Sequence, residues 1–194
     1  MKKLENYFYE SSKVIQSLNS EINKLNAISE LMIKTIQRNN KILIAGNGGS
    51  FADSEHFVGE LTCTFNNKKR KGLPAISLGS NPTALTAWSN DFNFYTYYER
   101  QVEALANKGD LLFLISTGGN VNKTTSSLNL YLSLKKAKKI GCKVVSLVGK
   151  SGGNLKKYSD HFILVKSDQT SIIQEAHICL IHYLCYLIDK NVKN

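Results

Sequence analysis

Proline is scarce in this chain: Pro74 and Pro82 are the only two in 194 residues, so its helices and strands run without interruption. Four cysteines, Cys63, Cys142, Cys179 and Cys185, form no C-x-x-C pair and no zinc-finger spacing. That excludes a disulfide framework, and buried free thiols in a reducing compartment are expected. Arginine is nearly absent among the 25 cations, with Arg38, Arg70 and Arg100 against 22 lysines. Nucleic-acid readers lean on the arginine fork, which grips phosphate and guanine bidentately, so no nucleic-acid partner is expected. No apolar run approaches the roughly 20 residues that span a bilayer, and no membrane partner is expected. The basic start Met1-Lys2-Lys3 leads into an amphipathic stretch rather than a secretory signal, which points to a cytoplasmic protein.

What is present describes an ordinary folded chain, 42% hydrophobic and 21% charged. The formal charge of +10 is carried by scattered lysines apart from Lys68-Lys69-Arg70-Lys71 and Lys135-Lys136 with Lys138-Lys139. It describes either a solvated surface or a field that draws in an anionic substrate. Apolar residues at Tyr7, Val14, Leu18, Ile22, Leu25, Ile28, Met32 and Ile36 recur near a 3.6 period, predicting one or two helices over the first forty residues. Short apolar runs follow at 41–45, 73–78, 111–115, 143–148 and 161–165, alternating with helical stretches, the last from about Ser171 to Asp189. Buried runs alternating with helices predict an α/β fold, doubly wound about a parallel sheet of about five strands. The expected organisation is one domain over 1–194, with a helical N-terminal arm over 1–40 and the α/β core over 41–190.

In such a fold ligands gather at the carboxyl ends of the strands. The first strand ends in Gly46-Asn47-Gly48-Gly49-Ser50, a loop able to bring backbone amides to an anion at a helix N-terminus, or simply a tight strand-to-helix turn. It lacks the Lys-Ser/Thr of a Walker A loop and the third glycine of a dinucleotide loop. Ser116-Thr117-Gly118-Gly119-Asn120 has the same chemistry and is expected to open the next long helix. His56 and Glu60, four apart on a helix, share a face and suit metal ligation or acid–base work, as well as an exposed polar pair. The closing helix carries Gln174, Glu175, His177 and His182 among strongly apolar neighbours. Viewed from Gln174, His177 lies about 60° to one side and His182 about 80° to the other, so helical geometry does not choose between them.

The ordered set Gly46-Asn47-Gly48-Gly49-Ser50, His56-Phe57-x-x-Glu60-Leu61-Thr62, Asn90-Asp91-Phe92, Ile115-Ser116-Thr117 and Ile173-Gln174-Glu175-x-His177-x-x-x-x-His182 resembles the phosphoheptose isomerases of the sugar isomerase (SIS) domain family. The resemblance covers nearly the whole chain. It implies aldose–ketose isomerisation of sedoheptulose 7-phosphate to D-glycero-D-manno-heptose 7-phosphate, for the heptose of lipopolysaccharide or capsule. It implies Glu60 and His182 as the acid–base pair, and zinc as cofactor on His56, Glu60, Gln174 and His182, so choosing His182 over His177. Glu60 as a zinc ligand is less available as a base. The resemblance also implies a substrate site of Asn47, Gly48, Gly49, Ser50, Glu60, Asp91 and Gln174. The phosphate would be held by Ser116, Thr117 and the amides of Gly118, Gly119 and Asn120, and the assembly would be a homotetramer with sites between subunits.

The chain departs from that pattern in places. The family's phosphate loop commonly reads S-T-S-G-x-S, where this chain has Ser116-Thr117-Gly118-Gly119-Asn120-Val121, with Thr124 or Thr125 as substitutes for the missing hydroxyls. Cys63-Thr64 and Ile172 stand where the family often has arginines. These departures admit two alternatives: an isomerase acting on another sugar phosphate, or a non-catalytic SIS module binding a replication initiator. Retention of His56, Glu60, Gln174 and His182 speaks against the second.

Overall fold

The computed structural model describes residues 6–121 and 127–192. The chain opens with helices α1 (Tyr7–Ser17) and α2 (Ile22–Gln37), joined by a 3-10 turn at Leu18–Glu21. There follow β1 (Ile42–Gly46), α3 (Gly49–Thr62), β2 (Ala75–Ser77), α4 (Pro82–Asp91), a 3-10 turn at Phe94–Thr96, and α5 (Tyr97–Leu105). The second half holds β3 (Leu111–Ser116), α6 (Leu128–Ile140), β4 (Lys143–Gly149), α7 (Gly153–Tyr158), β5 (His161–Val165) and α8 (Thr170–Asn191). All five expected strands form, and they pair in parallel in the order β2-β1-β3-β4-β5.

The expected run 73–78 shortens to three strand residues at the sheet edge. Pro74 has no N–H to give, and the Leu73 N–H bonds to the Leu61 carbonyl instead. The central strands are buried on both faces, and their alternation builds two cores. Ile42, Ile44, Phe113, Ile115, Val145 and Leu147 face α2, α3 and α8. Leu43, Ala45, Leu112, Leu114, Val144 and Val148 face α5, α6 and α7. Helices on both faces of a parallel sheet make the doubly wound arrangement expected.

The N-terminal helices fold back on this body. Leu25, Ile28 and Met32 of α2 are buried in the first core. The Tyr7 hydroxyl and the Ser11 hydroxyl of α1 both donate to the Glu175 carboxylate on α8. By length and composition α8 could cross a membrane, with a mean hydropathy of 1.3 over its most apolar stretch. Half of that stretch is buried within this fold, the pattern of a core helix. The thiols are all free, but only Cys142 and Cys185 are buried, and Cys63 is exposed just past the end of α3, contrary to the expectation for four buried cysteines.

Candidate active site

Strand β1 is hydrogen-bonded to β2 on one side and to β3 on the other, so the chain reverses its direction of travel across the sheet between β1 and β3. A crevice opens at that reversal, beyond the carboxyl ends of the two strands, where open α/β sheets bind ligands. The cavity measures about 280 Å³. Asn47, Gly48, Gly49 and Ser50 line one side, Ile115, Ser116, Thr117 and Ser127 the other, and Thr170 and Gln174 close it. Three helices begin here: α3 at Gly49, α6 just past Ser127 and α8 at Thr170. Their N-terminal amides and dipoles favour an anion.

The glycines of the first loop have separate reasons. Gly48 takes φ +56°, a conformation that side-chain-bearing residues rarely adopt. A Cβ on Gly49 would lie 2.2 Å from the Gln174 amide nitrogen, so the bare backbone admits Gln174 to the loop. Asn47 is held by a reciprocal pair: its amide donates to Asn129 Oδ1 and the Asn129 amide donates back, each at 2.9 Å. Tyr98 donates its hydroxyl to the Gly46 carbonyl at 2.5 Å, bracing the same turn from below. Neither Asn129 nor Tyr98 is signalled by the sequence, because the contacts join residues 82 and 52 positions apart.

The second loop differs from expectation. Helix α6 starts at Leu128, so Gly118, Gly119 and Asn120 do not open it. The Gly118 and Gly119 amides turn back onto Ser116 Oγ, at 3.3 and 3.0 Å, and Ser127 Oγ stands 3.1 Å from that same oxygen. Asn120 reaches away to Ser151 Oγ, and the Gly119 carbonyl accepts from Leu155. Gly118 and Asn120 therefore do not line the cavity, whereas Ser116 and Thr117 do. Thr124 and Thr125 lie outside the described residues. Asp91 is also apart: it is exposed at the end of α4, where it accepts from the Asn90 amide.

A second cluster forms where α3 packs on α8. Phe57 of the H-F-x-x-E motif is fully buried, edge-on to Phe113 at 5.2 Å, and anchors α3 to the sheet. His56 and Glu60 are left at the seam with α8. His56 Nε2 is 3.1 Å from Glu60 Oε1 and 3.2 Å from His182 Nε2. One ligand atom from each of the three lies within 4.8 Å of the others, which suits a metal ion. His177 is excluded from this group: it is fully buried, with neither ring nitrogen in a hydrogen bond among the described residues. Burial pushes its pKa down to about 4, against a smaller upward pull from the Val148 backbone, which stands outside hydrogen-bond geometry.

Gln174 does not join His56, Glu60 and His182 within one chain. It precedes His182 by eight residues, about 12 Å of helix rise, and its amide lies at Gly49, about 10 Å up α3 from His56. Within one chain His56, Glu60 and His182 come together, Gln174 lines the cavity, and none of the three lines that cavity. Between the two clusters on α3 sits Asp53, a residue the sequence did not single out. Its Oδ2 is buried without a hydrogen-bond partner among the described residues, and burial pushes its pKa up to about 6, while the nearby His56 pulls the other way.

A parallel doubly wound sheet with an amide-lined crevice at the strand reversal and a His/Glu/His group beside it is an α/β protein with its ligand site at the carboxyl ends of the strands. The SIS domain model matches residues 6–149. The chain is 46% identical over 173 residues to the probable phosphoheptose isomerase of Thermoplasma acidophilum, covering 89% of this chain and 91% of the relative. It is 46% identical over 176 residues to the phosphoheptose isomerase of Helicobacter pylori, covering 91% and 88%. The solved structure of phosphoheptose isomerase GmhA from Neisseria gonorrhoeae superposes with a TM-score of 0.87 at 34% identity, over 97% of this chain and 98% of that one. This chain belongs to the phosphoheptose isomerase family of SIS-domain proteins.

Proposed function

We propose that this protein is an aldose–ketose isomerase that converts sedoheptulose 7-phosphate to D-glycero-D-manno-heptose 7-phosphate, for the heptose of lipopolysaccharide or capsule. The observation that carries the chemistry is the convergence of His56, Glu60 and His182 from two helices. Moving a proton between C1 and C2 through a cis-enediol needs a base that reaches both carbons and an acid at the oxygens. Glu60 takes the carbon-bound proton and returns it to the neighbouring carbon, and His182 exchanges protons with the oxygens. The phosphate is met by Ser116, Thr117 and the helix N-termini, and Asn47, Ser50 and Gln174 hold hydroxyls. Asp91 lies outside the cavity in one chain and serves it only from a neighbouring subunit.

The His/Glu/His donor set fits zinc, which takes nitrogen and carboxylate ligands and in catalytic sites keeps one position open beyond three protein ligands. Bound there, zinc supplies polarisation of the substrate carbonyl and hydroxyl. A carboxylate has two oxygens, so Glu60 would be able to hold the ion with one and take the proton with the other. The family resemblance and the apolar N-terminal helices support a homotetramer, and the separation of cavity and trio along the α3–α8 seam fits an assembly in which one subunit's cavity meets another's trio. A phosphorylated sugar is retained inside the cell by its charge, so this reading carries a cytoplasmic location. The test is turnover of sedoheptulose 7-phosphate by the purified protein with zinc supplied, with loss of turnover in Glu60→Gln and in His182→Ala. No turnover overturns the reading, and turnover of a different sugar phosphate alone favours the alternative substrate raised by the altered phosphate loop.

A further inference from the structure

His56 and Glu60 stand on α3 and His182 on α8, so their mutual distances depend on how two helices far apart in sequence are spaced. The connection that leaves α3 supplies a clamp. Arg70 is almost wholly buried, its side chain 1% exposed, and it pairs with Asp189, which is 7% exposed and lies two turns beyond His182 on α8. Arg70 Nε donates to Asp189 Oδ1 at 2.6 Å. Its Nη2 donates to the carbonyl of Glu60 itself at 2.7 Å, and its Nη1 to the carbonyls of Leu61 and Lys71 at 2.9 Å. The other Asp189 oxygen accepts the backbone amides of Asn66 and Asn67, both at 2.8 Å. Those amides follow directly on Phe65, whose ring is stacked on His182 with centroids 5.8 Å apart and planes 19° from parallel.

A buried ion pair is no better for stability than a well-packed apolar pair, because desolvation offsets the attraction. What this pair does that an apolar pair does not is geometric. Its fork seizes the last carbonyls of α3 at the residue that carries the carboxylate, and its acid seizes the loop that lays Phe65 on the imidazole. We propose that Arg70 and Asp189 are positioning residues for the His56–Glu60–His182 group: they set the spacing of α3 and α8 and press Phe65 against the His182 ring. The proposal rests on the reading of those three residues as the reacting and ion-holding group. Neither member of the pair touches substrate.

The decisive variant is R70M/D189L, which replaces the pair by apolar groups of similar volume. In the metal-free protein, the His182 ring-proton resonance, identified by its absence in His182→Ala, reports the ring current of Phe65. It is expected to move in R70M/D189L toward its position in Phe65→Leu, and to stay in place in Phe65→Tyr. Zinc affinity, measured by competition with a chromogenic chelator, is expected to fall 10- to 100-fold in R70M/D189L, the usual cost of losing an outer-shell partner. A folded double variant with the His182 resonance unmoved, or with zinc affinity within twofold of a zinc-binding parent, overturns the proposal. Should the double variant not fold, Arg70→Lys, which keeps the charge and loses the fork, is read by the same two measurements. If the unaltered protein binds no zinc or turns over no substrate, the functional reading fails, and the resonance still decides the clamp.

Discussion

Replacing His177 with leucine tests whether one buried, unpaired imidazole sets the acid limit of this fold. The ring is sealed at the α8 face of the sheet and holds its pKa at about 4, whereas an unfolded histidine titrates near 6.5. Below that unfolded value the denatured chain binds a proton that the native chain refuses, so stability falls as pH is lowered from about 6.5 to about 4. At about 1.4 kcal/mol per pH unit this one group withdraws about 2 kcal/mol by pH 5 and roughly 3 kcal/mol once both states are protonated. That is a large share of the 5–15 kcal/mol typical of a folded domain. Leucine is close to histidine in volume and has no nitrogen to leave unpaired, so at pH 7 the variant is expected to equal or exceed the parent in stability. The assay is urea unfolding of both proteins at pH 7 and pH 5, at one protein concentration so that any assembly equilibrium is held constant. The variant should lose about 2 kcal/mol less than the parent between the two pH values. Equal losses would show that His177 is protonated in the native state, and the account of its burial would fall.

Two further outcomes follow from the site. Gly49→Ala should leave the thermal midpoint nearly unchanged, since alanine suits a helix and the atom in its way is the mobile end of Gln174. KM should nevertheless rise about tenfold, the factor that about 1.4 kcal/mol of lost binding produces, because Gln174 is displaced from the cavity; an unaltered KM would remove Gln174 from the substrate site. Mixing inactive Ser116→Ala and Glu60→Gln chains, unfolded and refolded together, should restore activity if one subunit's cavity meets another's trio. Mixed assemblies that remain inactive would place cavity and trio in service within a single chain.

Much of this was legible in the residues. The five apolar runs and the helices between them foretold the parallel sheet, because a strand buried on both faces reads as a continuous hydrophobic stretch. The Gly46–Ser50 loop was legible as a candidate ligand turn by its composition, and His56 and Glu60 as a pair sharing one helix face by their spacing of four. Elsewhere local pattern was no guide. Asn129 orients Asn47, Asp53 on α3 buries one carboxylate oxygen without a hydrogen bond among the described residues, and Asp189 grips Asn66 and Asn67, yet none of them belongs to a recognisable local motif. The second loop was expected to open a helix and does not, for a related reason. Two glycine amides that looked available for an anion are taken by Ser116, a neighbour whose hydroxyl turns back on them.

The sequence by itself determined the order of strands and helices, the positions of the polar residues along them, and the family to which the chain is similar. Helical spacing could not choose between His177 and His182, and the resemblance chose His182; the separation of Gln174 from the His56–Glu60–His182 group appeared only in three dimensions. The reason is physical. A period of 3.6 residues fixes which side chains share a face of one helix, but not which face meets a neighbour or at what height. Those are set by the packing of α3 and α8 on the sheet and by the bonds at Arg70 that hold them together.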